Sequence, residues 1–272
     1  MKIWTNTNTL TGFDSDLLFT ESKEDADIAL LGSKAIDLID FSALQAIFRA
    51  GIGSDNVPKQ QAQARGIVVR YPSQATVDVL YDETARFTCS LVFRMLYKRI
   101  GAIEPWEKHQ RTQMSKKTLL IIGTGNIGLR VAQLMTPFLK VNTFDTMRDG
   151  LSDLDPLIRR ADCITLHIPN NKENASFFDR EKLSLMKDDA ILVNTARGPL
   201  VEEEALYDEI QSGRLSAAFD VFWQEPYEGK LKEFHPDTFV MTPHVASNCT
   251  EFLQGCRNDL DKLIAELSPT TT

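Results

Sequence analysis

Cysteine is scarce in this sequence: there are four in 272 residues, Cys89, Cys163, Cys249 and Cys256, and none stands in a CxxC pair. A disulfide framework is therefore not expected, and the thiols read as reduced residues of a cytoplasmic protein. Histidine is equally rare, with His109, His167, His235 and His244 the whole set. No His/Cys/carboxylate cluster has metal-ligand spacing, so no metal is expected. Long hydrophobic runs are missing too. No apolar stretch approaches the roughly 18 residues of a membrane span, and the start, MKIWTNTNTL, lacks the apolar segment of a signal peptide. Positive charge is in the minority, with a formal net charge of -8, which argues against nucleic-acid or acidic-membrane partners. A small anionic substrate is not excluded, because one local arginine overrides a global field.

What is present is an alternation of short β-rich runs with amphipathic stretches, the pattern of an α/β fold with parallel sheets. One set of candidate strands is Lys2–Thr5, Ile28–Leu31, Ala46–Arg49 and Ile67–Arg70. A second set is Thr118–Ile122, Val141–Phe144, Cys163–His167, Ile191–Asn194, Ala217–Asp220 and Phe239–Thr242. A helix over Tyr81–Arg99 bridges them, followed by an exposed polar excursion, GAIEPWEKHQRTQMSKK, that suits a dimer contact. The last helix, Thr250–Leu267, is expected to return to the first lobe, and the tail SPTTT to fray. This gives two lobes, residues 1–81 plus 247–272, and residues 82–246.

The stretch TLLIIGTGNIGLRVAQLM sets Gly123, Gly125 and Gly128 in GxGxxG register between an apolar strand and an amphipathic helix. Gly123 serves a tight turn, Gly125 the approach of a pyrophosphate to the backbone, and Gly128 close packing of helix on strand. The amides of Asn126 and Ile127 then open a helix, where partial positive charge favours an anion. The next strand, KVNTF, ends at Asp145, where an acid grips the adenosine ribose hydroxyls and repels a 2′-phosphate. NAD is expected over NADP, although Arg148 nearby weakens that preference. His167 and Pro169, after the third strand, shape the adenine side of the pocket.

Three further stretches, NTARGPLVEEEAL, AAFDVFWQEP and VMTPHVAS, each place polar residues just beyond an apolar strand. In an open parallel sheet ligands bind past the carboxyl ends of the strands, so Arg197, Asp220, Glu225 and His244 converge on one crevice. Taken in order, GTGNIG, HIP, NTARGPLVEEEAL, FDVFWQEP and TPHVAS resemble the signature of the D-isomer-specific 2-hydroxyacid dehydrogenase family, and RAGIGSDNV resembles its substrate loop. The likeness runs from about Ala26 to Glu251.

The resemblance implies a Rossmann NAD-binding domain joined to a smaller, flavodoxin-like substrate domain, and a homodimer. It implies that Arg197 holds the carboxylate and carbonyl of a 2-oxo acid, that His244 exchanges the proton, and that Glu225 partners the histidine. Asp220, Thr195, Ala196, His244 and Ser247 would lie about the cofactor, and the amides of Ile52 and Gly53 would hold the substrate carboxylate. The activity implied is interconversion of a 2-oxo acid and a D-2-hydroxy acid. The alternatives are a nucleotide-sensing, corepressor-like relative, or a dehydrogenase of the same fold acting on formate or phosphite. The sequence departs from the family in a shortened amino-terminal lobe, a compact stretch from Asp145 to Leu154, and Pro58 where an acid is common.

Overall fold

A computed structural model describes residues 1–268, so the frayed tail expected for SPTTT lies outside the described residues from position 269 on. The chain divides into two compact units, Met1–Leu80 together with the chain from Asn248 onward, and Tyr81–Ser247.

The first unit is built on four parallel strands, β1 (Ile3–Thr5), β2 (Ile28–Leu31), β3 (Ala46–Arg49) and β4 (Val68–Arg70), in the spatial order β1-β2-β3-β4. A short helix, α1 (Lys59–Ala64), makes the crossover from β3 to β4. Parallel neighbours need a crossover, usually helical. Between β1 and β2, residues 6–27 make it without a helix. The order therefore lacks the reversal of a full flavodoxin-like sheet, which is how the shortened lobe expresses itself. Alternation along β2 and β3 points Ala29, Leu31 and Ile47 into a layer with Leu38, Phe41 and Leu44.

The bridging helix, α2, spans Gln74–Leu96, beginning well before the expected Tyr81. The C-terminal helix, Thr250–Leu267, belongs to the first unit. Its Asp259 carboxylate accepts from the Ser73 amide at 2.7 Å and the Thr76 hydroxyl at 2.8 Å, while Arg257 pairs with Asp16. A Cβ on Gly255 would lie 2.6 Å from the Thr76 hydroxyl, so a glycine lets this helix approach α2.

In the second unit the polar excursion is an antiparallel ribbon, β5 (Gly101–Ala102) with β6 (Glu107–Lys108), that leaves Ile103 and Trp106 about three-quarters exposed, at 73% and 76%. Six parallel strands follow: β7 (Thr118–Ile122), β8 (Lys140–Phe144), β9 (Cys163–Leu166), β10 (Ile191–Asn194), β11 (Ser216–Phe219) and β12 (Phe239–Met241). Helices α3 (Asn126–Met135), α4 (Leu154–Ile158), α5 (Arg180–Leu185) and α6 (Glu203–Gln211) connect them. The pleat sends Leu120, Ile122, Ile164, Leu166 and Leu192 into one core and Leu119, Ile121, Cys163, Ile191 and Val193 into another, the second closed by α2. Burial on both faces explains why β7, β9 and β10 read as compact apolar runs rather than alternating ones, whereas β8, at the sheet edge, is partly exposed and more polar. The spatial order is β8-β7-β9-β10-β11-β12. The chain reverses direction across the sheet between β7 and β9, the position beyond whose strand ends sheets of this kind bind ligands.

Candidate active site

The glycine turn sits at this reversal. Gly123 has φ +98°, a conformation glycine adopts without strain, and a Cβ there would lie 2.6 Å from the backbone of His167 at the end of β9. Gly128 is closer still to its surroundings, since a Cβ would meet the Gly123 carbonyl oxygen at 1.9 Å. Gly125 is the opposite case, with nothing within 4 Å of where its Cβ would stand. The first and third glycines are thus demanded by the protein's own packing, and the second leaves space in front of the backbone at the start of α3. That is the cradle a pyrophosphate requires, so the residues present fit a dinucleotide.

At the end of β8, Asp145 accepts hydrogen bonds from the Thr124 hydroxyl and amide and, at 3.0 Å, from the Met147 amide. Arg148 pairs with the same carboxylate at 3.2 Å and also donates to the Thr124 hydroxyl. The Thr124 hydroxyl, then the Met147 amide, hold the Asp145 carboxyl below the usual carboxylate range. His167 carries a buried Nε2 that has no hydrogen-bond partner, and burial pushes its pKa down to about 4. Pro169 is exposed, and its carbonyl accepts from Asn174 at 2.9 Å.

Beyond β10 the turn Thr195–Arg197 is organised by Asn194, a residue that none of the sequence motifs singles out. Asn194 is wholly buried; its side chain accepts from the Ala196 amide at 3.0 Å and donates to the Arg197 carbonyl at 2.8 Å. Asparagine at a strand end is the available signal, because its side chain mimics a backbone turn. The Arg197 side chain is half-buried and donates to the Ala196 carbonyl at 2.7 Å. Gly198 then runs against the next loop so closely that a Cβ would lie 2.1 Å from the Phe222 carbonyl carbon and 2.4 Å from the Trp223 nitrogen. This contact brings the arginine turn onto the loop that carries Glu225.

The Glu225 carboxylate meets His244 Nδ1 at 2.8 Å and 3.1 Å and accepts from the Phe222 amide at 3.1 Å. Both side chains keep about a third or a quarter of their surface, 32% for His244 and 26% for Glu225. With Nδ1 committed to the carboxylate, Nε2 is the nitrogen left for a substrate. His244 has φ +55°, a left-handed backbone that histidine tolerates better than most residues but at a cost of about 1 kcal/mol or more.

The turn is held in that conformation by Asp220. This 1%-exposed carboxylate accepts from the Thr242 hydroxyl at 2.6 Å, the Val245 amide at 2.9 Å and the Ala246 amide at 2.9 Å. Burial pushes its carboxyl up, against the pull of those three donors. Asp220 thus serves the histidine loop directly. Ser247, half-buried, closes the second unit. Trp223 is fastened by its indole N–H to the Val201 carbonyl at 2.7 Å and stacks on Phe219, so it forms wall rather than a mobile gate.

Ile52 and Gly53 lie in the first unit, on the loop after β3. The buried Arg49 shapes that loop by donating to the Ala50 carbonyl at 2.6 Å and the Gly53 carbonyl at 3.1 Å. Among the described residues neither the Ile52 nor the Gly53 amide donates a hydrogen bond. His109 and His235 are exposed, and no group of three metal-ligating side chains occurs among the described residues. No helix among them is long and apolar enough to cross a membrane, and all four cysteines are free.

Residues 96–246 match the family model for the NAD-binding domain of D-isomer-specific 2-hydroxyacid dehydrogenases. A hydroxypyruvate reductase of Thermotoga maritima is 34% identical, over 82% of this chain and 78% of its own length. A glyoxylate reductase of Thermofilum pendens is 31% identical, over 93% of this chain and 83% of its own. The same fold occurs in the D-lactate dehydrogenase of Aquifex aeolicus solved with NAD and lactic acid, with a TM-score of 0.80 at 24% identity over 97% of this chain and 94% of that one. The sequence motifs, the glycine cradle at the sheet reversal and these relatives agree, and the chain belongs to the D-isomer-specific 2-hydroxyacid dehydrogenases, NAD-binding oxidoreductases of the Rossmann class.

Proposed function

We propose that this protein interconverts a 2-oxo acid and a D-2-hydroxy acid, with His244 and Glu225 as the acid–base pair and Arg197 as the substrate's anchor. The observation that carries the reading is the 2.8 Å contact between His244 Nδ1 and Glu225, on side chains that solvent still reaches. Reduction of a ketone builds negative charge on its oxygen, and a protonated imidazole removes it by giving up the Nε2 proton. The carboxylate beside Nδ1 fixes the ring and its orientation. In the reverse direction neutral His244 takes the alcohol proton. Arg197 offers a planar fork of donors suited to a carboxylate and the adjoining carbonyl. The Ile52 and Gly53 amides keep the role that the resemblance gives them, as donors to the substrate carboxylate. The nicotinamide supplies or accepts the hydride when bound.

Thr195, Ala196, Asp220 and Ser247 are placed about the nicotinamide end on this reading, and Gly123 to Gly128, Asp145, His167 and Pro169 about the rest of the nucleotide. NAD is preferred over NADP, because the Asp145 carboxylate, held ionised by its donors, repels a 2′-phosphate. Short 2-oxo acids of the kind named for the two relatives, glyoxylate and hydroxypyruvate, are the first candidates. The working form is a cytoplasmic homodimer, with the exposed Ile103 and Trp106 of the ribbon on its contact face.

The test is a panel of 2-oxo acids assayed with NADH and with NADPH, alongside gel filtration. Substrate-dependent oxidation of NADH, at least about 10-fold faster than that of NADPH, is expected, from a species of twice the chain mass. NADH binding without turnover on any 2-oxo acid would refute the catalytic assignment.

A further inference from the structure

The two amides on the loop after β3 lie between peptides that a single buried side chain grips. Arg49, the last residue of β3, is 6% exposed. Its Nη1 donates to the Ala50 carbonyl at 2.6 Å and its Nε to the Gly53 carbonyl at 3.1 Å. Those oxygens belong to the Ala50–Gly51 and Gly53–Ser54 peptides. The two peptides between them carry the Ile52 and Gly53 N–H groups, which donate to nothing among the described residues. The guanidinium is planar and rigid, so it sets the separation of the two carbonyls it holds. Gly51 lets the loop lie against it: φ is +144° there, and a Cβ would stand 2.4 Å from Arg49 Nη1. The grip is itself anchored. Arg49 Nε also reaches the Asn56 side-chain oxygen at 3.3 Å, and the buried Asn56 donates to the Gly32 carbonyl at 2.8 Å and the Lys34 carbonyl at 3.0 Å, on the loop after β2. Asn6, beyond β1, accepts from the Gly32 amide at 2.9 Å and donates to the Lys34 carbonyl at 2.9 Å. One guanidinium thus ties the loop after β3 to the ends of β2 and β1.

On the reading that gives the Ile52 and Gly53 amides the substrate carboxylate, we propose that Arg49 is a positioning residue, which with Asn56 holds those amides in their binding geometry before the substrate arrives. Carbonyl oxygens repel a carboxylate, and the two that flank the amides are turned onto an internal cation instead. A loop set in advance loses less freedom when it binds, and the saving appears as affinity. Arg49 faces inward and acts through the loop, so its effect falls on how tightly the 2-oxo acid is held and not on the turnover of bound substrate. A lysine at position 49 would keep the charge but lack the planar fork that brackets the two carbonyls.

The test is steady-state kinetics on glyoxylate, together with titration of the protein–NADH complex by oxamate, an unreactive analogue of a 2-oxo acid. In Arg49→Lys the KM for glyoxylate and the Kd for oxamate are expected to rise together by about 3- to 10-fold, the worth of one hydrogen bond. kcat and the Kd for NADH are expected to change less than about 2-fold, the pattern of lost uniform binding. Asn56→Ala removes the outer anchor and should give the same split, which keeps the test open should Arg49→Lys not fold. Gly53→Pro deletes one of the two amides and probes the reading beneath. If it moves neither the KM nor the oxamate Kd, the carboxylate is held elsewhere, and the proposal falls with that reading. A rise with Gly53→Pro and none with Arg49→Lys or Asn56→Ala would overturn the positioning role alone. Losses of kcat, NADH affinity and oxamate affinity in equal measure would show a merely structural role and overturn it too.

Discussion

Replacing Gly198 by alanine tests whether the arginine turn and the glutamate loop are set against each other as described. The backbone at Gly198 does not require glycine for its conformation, so the effect is one of space. A Cβ at this position would lie 2.1 Å from the Phe222 carbonyl carbon and 2.4 Å from the Trp223 nitrogen. Both are backbone atoms packed beneath buried Phe222, and neither can rotate away. Ordinary carbon contacts begin near 3.5 Å, so the two loops must part by about 1 Å. Overpacking of this kind costs roughly 1–3 kcal/mol, which lowers the melting temperature by about 2–4 °C for each kcal/mol in a domain of this size. A displacement of about 1 Å between an anchor and an acid–base pair costs on the order of 100-fold in rate. Gly198→Ala should therefore bind NADH nearly as well as wild type while kcat/KM for the best 2-oxo acid falls about 100-fold. The control is Gly213→Ala, at φ +75° with nothing within 4 Å, which should lose about 1 kcal/mol of stability from backbone strain and no activity. A Gly198→Ala protein with wild-type melting and turnover would refute the close approach of the two loops.

Three other outcomes follow from the same geometry. His244→Ala should lower kcat by about 100-fold or more in stopped-flow or steady-state assays, the usual scale of acid–base catalysis; near-normal turnover on any accepted acid would remove it from that role. Arg197→Lys keeps the charge but loses the planar fork, so KM for the 2-oxo acid should rise while NADH affinity holds. His167 provides a pH test. Burial holds its pKa at about 4, below the unfolded value near 6.5, so the neutral ring stabilises the native state fully above pH 6.5. That contribution is lost as pH falls from there through 4, amounting to about 3 kcal/mol at most. Melting curves between pH 7 and 4 should show His167→Gln losing less stability than wild type, and parallel curves would count against burial of the neutral ring.

Much of this was legible in the sequence because parallel strands buried on both faces announce themselves as compact apolar runs. Ile28–Leu31, Ala46–Arg49, Thr118–Ile122 and Ile191–Asn194 form strands with those bounds, and the last helix occupies Thr250–Leu267 as read. α2 starts at Gln74, seven positions before the expected Tyr81, through a stretch in which the β-branched Thr76, Val77 and Val79 disfavour helix. Pro72 and Ser73, a chain stop followed by a capping-type residue, were the better guide, and the Thr76–Asp259 hydrogen bond outweighs intrinsic preference there. In the site, charged and ring-bearing residues stood out while their supports did not. Asn194 and Thr88 look like ordinary polar residues until the fold brings each within hydrogen-bonding distance of the arginine turn. Gly198 reads as a loop glycine, and nothing local reveals that Phe222 lies against it. Asp220 was expected beside the cofactor, and what the sequence did not reveal is that its two oxygens already hold the loop bearing His244.

The division of β7 between two cores limits how this chain can change length. Leu119 and Ile121 serve one layer, Leu120 and Ile122 the other. An extra residue inserted within Thr118–Ile122 would swap the two sets and deliver the following turn facing the wrong side of the sheet. Insertions and deletions are therefore confined to places such as residues 147–152 or the exposed turn at Gly213, where no pleat has to be kept in step.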